Sequence, residues 1–431
     1  MATSTARADG RARPPAITPR DLTIPEPGST TARDVLSLAM RRLLAEFRRL
    51  PRLLPATASE RREVESFASL VDDLYASQPG LVASLLRRPT VGALARCLRR
   101  HLGPGSDHAA ALSIGRALRA TVAFELALAG ALPAVIQQTR LPSRLLSLGA
   151  RVALDLPDEA AVTFANGRLR VEHPTGARDV DLAPVTSKGT TPEGFSRPYH
   201  ALVDGMALAL ADNNPLQMYE AHPDKFGNAI DLGGRDVSAW VDELRACLDL
   251  IERHLPELRA EIGLFIQQVV PVGYDDHKHL SASYQEDIGT IYMTLHPNRM
   301  TMTEALIHEF SHNKLNALFE LDPVLENAFW PLYTSPVRPD PRPLHGIVLA
   351  VHAFQPVARL YERMTEAGDD RAKSPDFQRR FKQVRQLNHL GATVVLDNGR
   401  PTDVGRGLLD EFRRWDVHFG ERELADVSLD H

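Results

Sequence analysis

Two histidines four residues apart, His308 and His312, lie in EALIHEFSHNKLNALFEL, and this pair limits what the segment can fold into. On a helix, residues i and i+4 share a face with Cβ atoms ~5–6 Å apart. There both imidazoles can reach one metal ion at the ~2.0–2.1 Å of a zinc–nitrogen bond. Leu306, Phe310, Ala317 and Leu318 recur at helical spacing, and Thr301 or Thr303 can cap the start. The five residues form the HExxH pattern. Glu309 is the candidate catalytic residue, because in a zinc peptidase that position polarises a metal-bound water as general base. GTIYMTL, just upstream, reads as a strand whose Tyr292 faces either the cleft or the core.

Two histidines leave a metal site incomplete. The metzincin continuation fails, because Leu315 and Leu318 stand where Gly and His are needed. The best source of a third ligand is RPDPRPLHGIVLAVHAFQPVARLYERM. Prolines at 336, 339, 341 and 343 make a stiff extended lead, and a helix starts near Leu344. His345, Leu349 and His352 then share one face. His345, in the first turn beside the rigid lead, is the favoured third ligand, and His352 is the alternative. Pro356 predicts a kink.

Around this centre the chain divides by pattern. Residues 1–31, rich in Pro, Ser, Thr and Arg, read as an unstructured tail. Residues 32–149 carry apolar positions at helical spacing. From 150 onward, RVALDL, AVTFA and RLRVEH alternate, and Asn166-Gly167 marks a hairpin. A helix over 236–260, strands at LFIQQVVPV and GTIYMTL, and a short strand at ATVVL follow. The expectation is an α+β fold: a mostly helical N-terminal domain, then a metal-binding domain over 150–431 with a small mixed sheet and the HExxH helix.

Composition excludes several classes. The 50 basic and 55 acidic residues leave a net charge of −5, so no strong field favours nucleic acid or an anionic membrane. Arg41-Arg42, Arg48-Arg49 and Arg99-Arg100 sit among acids and read as solvated helix faces. The apolar run over 121–136 is broken by Glu125 and Pro133 and is shorter than the ~20 residues of a membrane span. No secretory h-region opens the chain, so a cytoplasmic location is expected. Two cysteines far apart cannot build a cysteine metal site. GxGxxG, Walker and GxSxG motifs are absent. Only 6 of the basic residues are Lys, which makes Lys314, two residues after His312, conspicuous.

Residues ~195–365 resemble the HExxH-containing family of 2-oxoglutarate-dependent peptide β-hydroxylases. The resemblance rests on Asp212-Asn213-Asn214-Pro215-Leu216 with Glu220-Ala221-His222-Pro223, on Gly289-Thr290-Ile291-Tyr292, on His308 to His312 with Lys314-Leu315, and on Arg338 to Leu344 with His345-Gly346 and Ala353-Phe354. It implies a zincin-like helix pair reused to hold Fe(II), with a ribosomally made precursor peptide as substrate. The usual iron set is two histidines and a carboxylate, so His308, His312 and His345 would be a departure. The far carboxylate of 2-oxoglutarate needs a cation, for which Arg342, Lys314 and Arg338 are the candidates. Glu309 would then orient a ligand, a water or the substrate. The rival readings are a gluzincin-type zinc peptidase, for which Glu362 comes too late as a third ligand, and a non-catalytic peptide-binding module docking through its N-terminal helices.

Overall fold

The computed structural model describes residues 19–57, 60–103, 105, 107–186, 191–219, 226–335 and 340–429, with side chains up to 420 apart from residue 186. Prolines and short polar residues set the first helix boundaries. In order these are α1 (Thr31–Phe47), α2 (Leu50–Leu53), α3 (Arg61–Ser77), α4 (Pro79–Arg87), α5 (Pro89–Arg100) and α6 (His108–Leu128). Pro79 and Pro89 stand in first turns, where a missing N–H breaks no helix bond. Asp107 caps α6 by accepting from the amides of Ala109 and Ala110. The Arg99-Arg100 pair is tied up within the chain: Arg99 bonds Glu46 and Glu320, and Arg100 bonds Glu286.

Short strands follow: β1 (Ile136–Gln138), β2 (Arg144–Ser147), β3 (Val152–Asp155), β4 (Ala161–Ala165), β5 (Arg168–His173) and β6 (Gly176–Asp181). β1, β4, β5 and β6 form one antiparallel sheet. Its β4–β5 hairpin closes at Asn166-Gly167 as expected, with Gly167 at φ +70°. This sheet shares a core with the preceding helices, running from Leu43 to Val185. The division expected near residue 150 therefore falls inside a core rather than between two. The alternating strands cover α6, which is too apolar to face water.

The tail expectation also needs correction. Residues 19–31 are described, and Leu22 and Ile24 are buried in the larger core with the first half of α1. The Glu411 carboxylate accepts from the amides of Leu22, Thr23 and Ile24 at 2.9–3.3 Å. Those charge-assisted bonds hold a segment whose composition alone looks disordered.

The chain continues through α7 (Ala183–Thr186), β7 (Phe195–Ser196), β8 (Tyr199–Val203), β9 (Met206–Ala209), α8 (Val237–His254), α9 (Pro256–Phe265), β10 (Gln268–Tyr274), β11 (Ser281–Ala282), β12 (Thr290–Leu295), α10 (Arg299–Phe319), β13 (Leu332–Tyr333), β14 (Arg342–Pro343), α11 (Leu344–Glu366), α12 (Pro375–Asn398) and α13 (Asp403–Leu429). The central sheet has the order β11-β12-β10-β9-β8. β10 runs parallel to β9 and β12, and the outer strands run antiparallel. Every residue of β12 is buried, as in a strand covered on both faces. Tyr292 is thus a core residue rather than a cleft wall, and β11 is the edge strand beside α10.

Residues 392–396, expected as a strand, continue α12. Ala392 and Val395 enter the core at helical spacing, and that packing overrides the β-branched run. α11 starts at Leu344 as expected and runs on through Pro356. Helices take up about 52% of the chain, and the small sheets beside them make it α+β. Among the described residues, no helix is long and apolar enough to cross a membrane.

Candidate metal centre

The metal helix is α10. It is capped by Asn298, whose Oδ1 accepts from the amides of Met300 and Thr301, and not by Thr301 or Thr303. Thr303 bonds back to the carbonyl of Arg299. α10 is buried on nearly every face, so each polar side chain on it must find a partner inside.

His308 and His312 stand on one face, ring centroids 4.4 Å apart. Ligand atoms of His308, Glu309 and His312 all lie within 4.8 Å of one another. Phe354 on α11 packs edge-on against His308 at 4.7 Å. Burial, then the neighbouring His312, pushes the His308 pKa well below the ordinary imidazole range. Burial lowers His312 too, against an opposing pull from Glu309. Both rings are therefore neutral at pH 7, the form that binds metal. Nδ1 of His312 is buried without a hydrogen-bond partner.

Glu309 is 3% exposed. The Ser281 hydroxyl donates to Oε1 at 2.7 Å, and the Ser283 hydroxyl donates to Oε2 at 2.7 Å. Nδ2 of Asn313 donates to Ser283 Oγ at 3.2 Å, which turns the serine proton toward the carboxylate. Among the described residues no Lys or Arg pairs with this anion. A buried carboxylate beside two neutral imidazoles, one with an orphaned nitrogen, is a donor set that suits a divalent cation. Ser281, Ser283, Asn313 and Phe354 were not among the expected site residues. The Ser-Ala-Ser alternation at 281–283 was the one signal available, and nothing in the sequence pairs that edge strand with α10. Partners of this kind typically change metal affinity 10–100-fold. Ser281→Ala/Ser283→Ala is accordingly expected to weaken metal binding about 10–100-fold in a competitive chelator titration, with the fold retained.

The third ligand is where expectation and geometry differ. His345 lies outside the three-residue set. Its ring is held between Phe319, at 4.5 Å, and Phe329, at 5.0 Å. Burial, with a contribution from nearby His312, lowers it to about 4. His352, the alternative, also lies outside that set. It is fully buried, and neither ring nitrogen makes a hydrogen bond. It sits against the backbone of Ser311 and Leu22, with Lys314 near enough to help keep it neutral.

The co-substrate candidates separate as well. Lys314 is fully buried and faces away from the histidine pair, because two residues past His312 is more than half a turn round the helix. Its Nζ pairs with Glu261 at 2.7 Å and donates to the Thr23 carbonyl at 3.3 Å. It is a core ion pair, not a co-substrate contact. Arg342 on β14 immediately precedes the helix of His345 and is ion-paired with Asp340 at 2.9 Å. Arg338 and residues 220–223 lie outside the described residues. Glu362 is buried between Arg359 and His418 and is not part of the His308, Glu309 and His312 group.

No protein-family model matches the chain, and no curated protein is significantly similar to it.

Proposed function

We propose that the chain is an Fe(II)- and 2-oxoglutarate-dependent hydroxylase that acts at a side-chain β-carbon of a ribosomally made precursor peptide, on a zincin-like frame. The observation that carries this reading is the posture of Glu309. Both of its oxygens accept serine hydroxyls, which fix the carboxylate in place. A carboxylate held at both oxygens has its orientation fixed and its lone pairs engaged, which suits charge balance and orientation better than proton transfer. The buried pairing of Glu362 weakens the gluzincin alternative. The resemblance over residues ~195–365 supplies the substrate class.

Fe(II) with 2-oxoglutarate, when bound, would activate dioxygen as the oxidant, one oxygen atom replacing C–H by C–OH on the peptide and the other going to the succinate formed from 2-oxoglutarate with loss of CO2. His308 and His312 would hold the iron, and His345 would join them by turning its ring from between Phe319 and Phe329. Arg342 would exchange Asp340 for the far carboxylate of 2-oxoglutarate, with a planar fork that suits a carboxylate. Phe354 on α11 would shield His308 on that side.

The test is anaerobic loading with Fe(II), then addition of oxygen, 2-oxoglutarate and candidate precursor peptides. Succinate formation coupled to addition of one oxygen atom to the peptide is the expected result. Peptide cleavage with zinc and no need for 2-oxoglutarate would overturn it. In the same assay His345→Ala is expected to lose iron binding while His352→Ala keeps it. The reverse would move the third ligand.

A further inference from the structure

Behind the metal helix, two carboxyl groups meet on one phenol. Tyr292 Oη lies 2.5 Å from Oδ2 of Asp212 and 3.0 Å from Oδ2 of Asp287. It also receives Nδ2 of Asn214 at 3.1 Å. A phenol has one proton to donate and two lone pairs to offer. With Asn214 donating to one lone pair, Tyr292 can serve only one carboxylate. The other oxygen then faces a bare lone pair at hydrogen-bond distance unless it carries a proton of its own.

We propose that Asp212, Tyr292 and Asp287 hold one extra proton among them at neutral pH, and that this proton pins the 212–219 loop to the central sheet beside the metal helix. The proton count then closes: Asp287 donates to Tyr292, Tyr292 donates to the Asp212 carboxylate, and Asn214 fills the remaining lone pair. Asp287 is the site of the proton. It is 1% exposed, and its Oδ1 accepts no hydrogen bond, which a buried anion tolerates badly. Asp212 is less buried, and the Asn214 amide also donates to it, at 3.2 Å.

The neighbours on every side fit this assignment. Arg96 on α5 acts on Asp287 from one side, but it is shared with Glu320 and the Glu286 carbonyl. The Glu286 carboxylate pairs with Arg100. The Cys97 thiol faces Asp287 and is pushed up to about 12, mostly by burial. Tyr199 faces Asp212, and Tyr284 packs edge-on against Tyr292 at 5.4 Å. Burial, then the Asp212 charge, raises Asp287 to about 8, and burial raises Asp212 as well. The pair titrates as a unit.

The loop hangs on this cluster. Asn214 Oδ1 caps the Leu216 amide, and the Tyr284 hydroxyl reaches the carbonyls of Gln217 and Tyr219. Tyr284 follows Ser283, so the latched loop borders the strand that holds Glu309.

The pair keeps its proton when the loop is latched and gives it up at ordinary carboxylate pH when the loop is free. Latching is therefore strongest at acid pH, weakens as pH rises toward 8, and levels off above it. Asp287→Asn keeps a donor without a titrating group and removes that dependence. Hydrogen exchange of a peptide spanning the loop, compared between wild type and Asp287→Asn at each pH, cancels the intrinsic rate. The ratio is expected to climb by up to ~10-fold per pH unit below pH 8 and then flatten. A ratio independent of pH would overturn the proposal. An infrared titration of the full wild-type chain carrying 13C-labelled aspartate decides the matter even if the variant fails to fold. A protonated-carboxyl band present at neutral pH and lost on alkalinisation supports the shared proton. Aspartate signal that is wholly carboxylate at neutral pH refutes it.

Discussion

Replacing His308 or His312 with Ala is expected to take metal binding from stoichiometric to undetectable. It should also cut turnover by more than the ~10–100-fold that loss of an outer partner costs. Each ring is one of two nitrogen donors on the same helix face, and no other described His, Cys, Asp or Glu completes a group with them besides Glu309. Calorimetric titration with Fe(II) under argon, and with Zn(II) in air, measures the loss directly. Retention of a full equivalent of metal by His308→Ala would place the site elsewhere. The pH dependence has a defined sign. Burial holds both imidazoles below their ordinary range, so the neutral, metal-binding forms persist to lower pH than in a free imidazole. Metal uptake by the folded chain should therefore survive below pH ~6.5, the midpoint of an unperturbed histidine. An uptake midpoint at or above that value would mean that the rings are solvated.

Much that could be read locally holds, although Asn298 rather than Thr301 or Thr303 caps α10, and residues 392–396 are helix rather than strand. The i, i+4 pair needs a helix and a strand upstream, and both are there. The Asn-Gly hairpin and the helix start after Pro343 are decided within a few residues. What depends on distant partners could not be read. Residues 19–24 look like tail until Glu411, nearly 390 positions later, accepts their amides. Ser281 and Ser283 reach Glu309 from a strand whose register with α10 no spacing encodes. Tyr292 lies on a strand that local sequence leaves open between cleft and core, and only the pairing of β11 outside it closes the edge. Lys314 misled for an instructive reason. A lysine that stands out in an Arg-rich chain marks a place where a compact point charge is needed, and in this fold that place is a buried carboxylate cluster.

That cluster gives the largest stability effect expected outside the centre. Lys314→Met should cost about 3–5 kcal/mol, the usual consequence of leaving one partner of a buried ion pair without the other. The ammonium faces Glu261 at 2.7 Å, and its charge also lowers the pKa of Glu411, which holds residues 22–24. Burial raises both acids, Glu411 to about 7, while Lys314 pulls both down. Without the ammonium both rise further. A carboxyl whose folded pKa stands above its unfolded value stabilises the fold below the unfolded value, and that contribution is lost as pH rises through the folded one. The deficit of Lys314→Met relative to wild type should therefore widen in urea titrations as pH rises through about 7, the wild-type value of Glu411. Adding Glu261→Gln should restore part of the loss, because the pair is then removed together. The same variant separates the two roles considered for Lys314. A structural cation changes the denaturation midpoint and leaves the KM for 2-oxoglutarate alone. Unchanged stability with a raised KM would return Lys314 to the co-substrate and require α10 to present a different face to the centre.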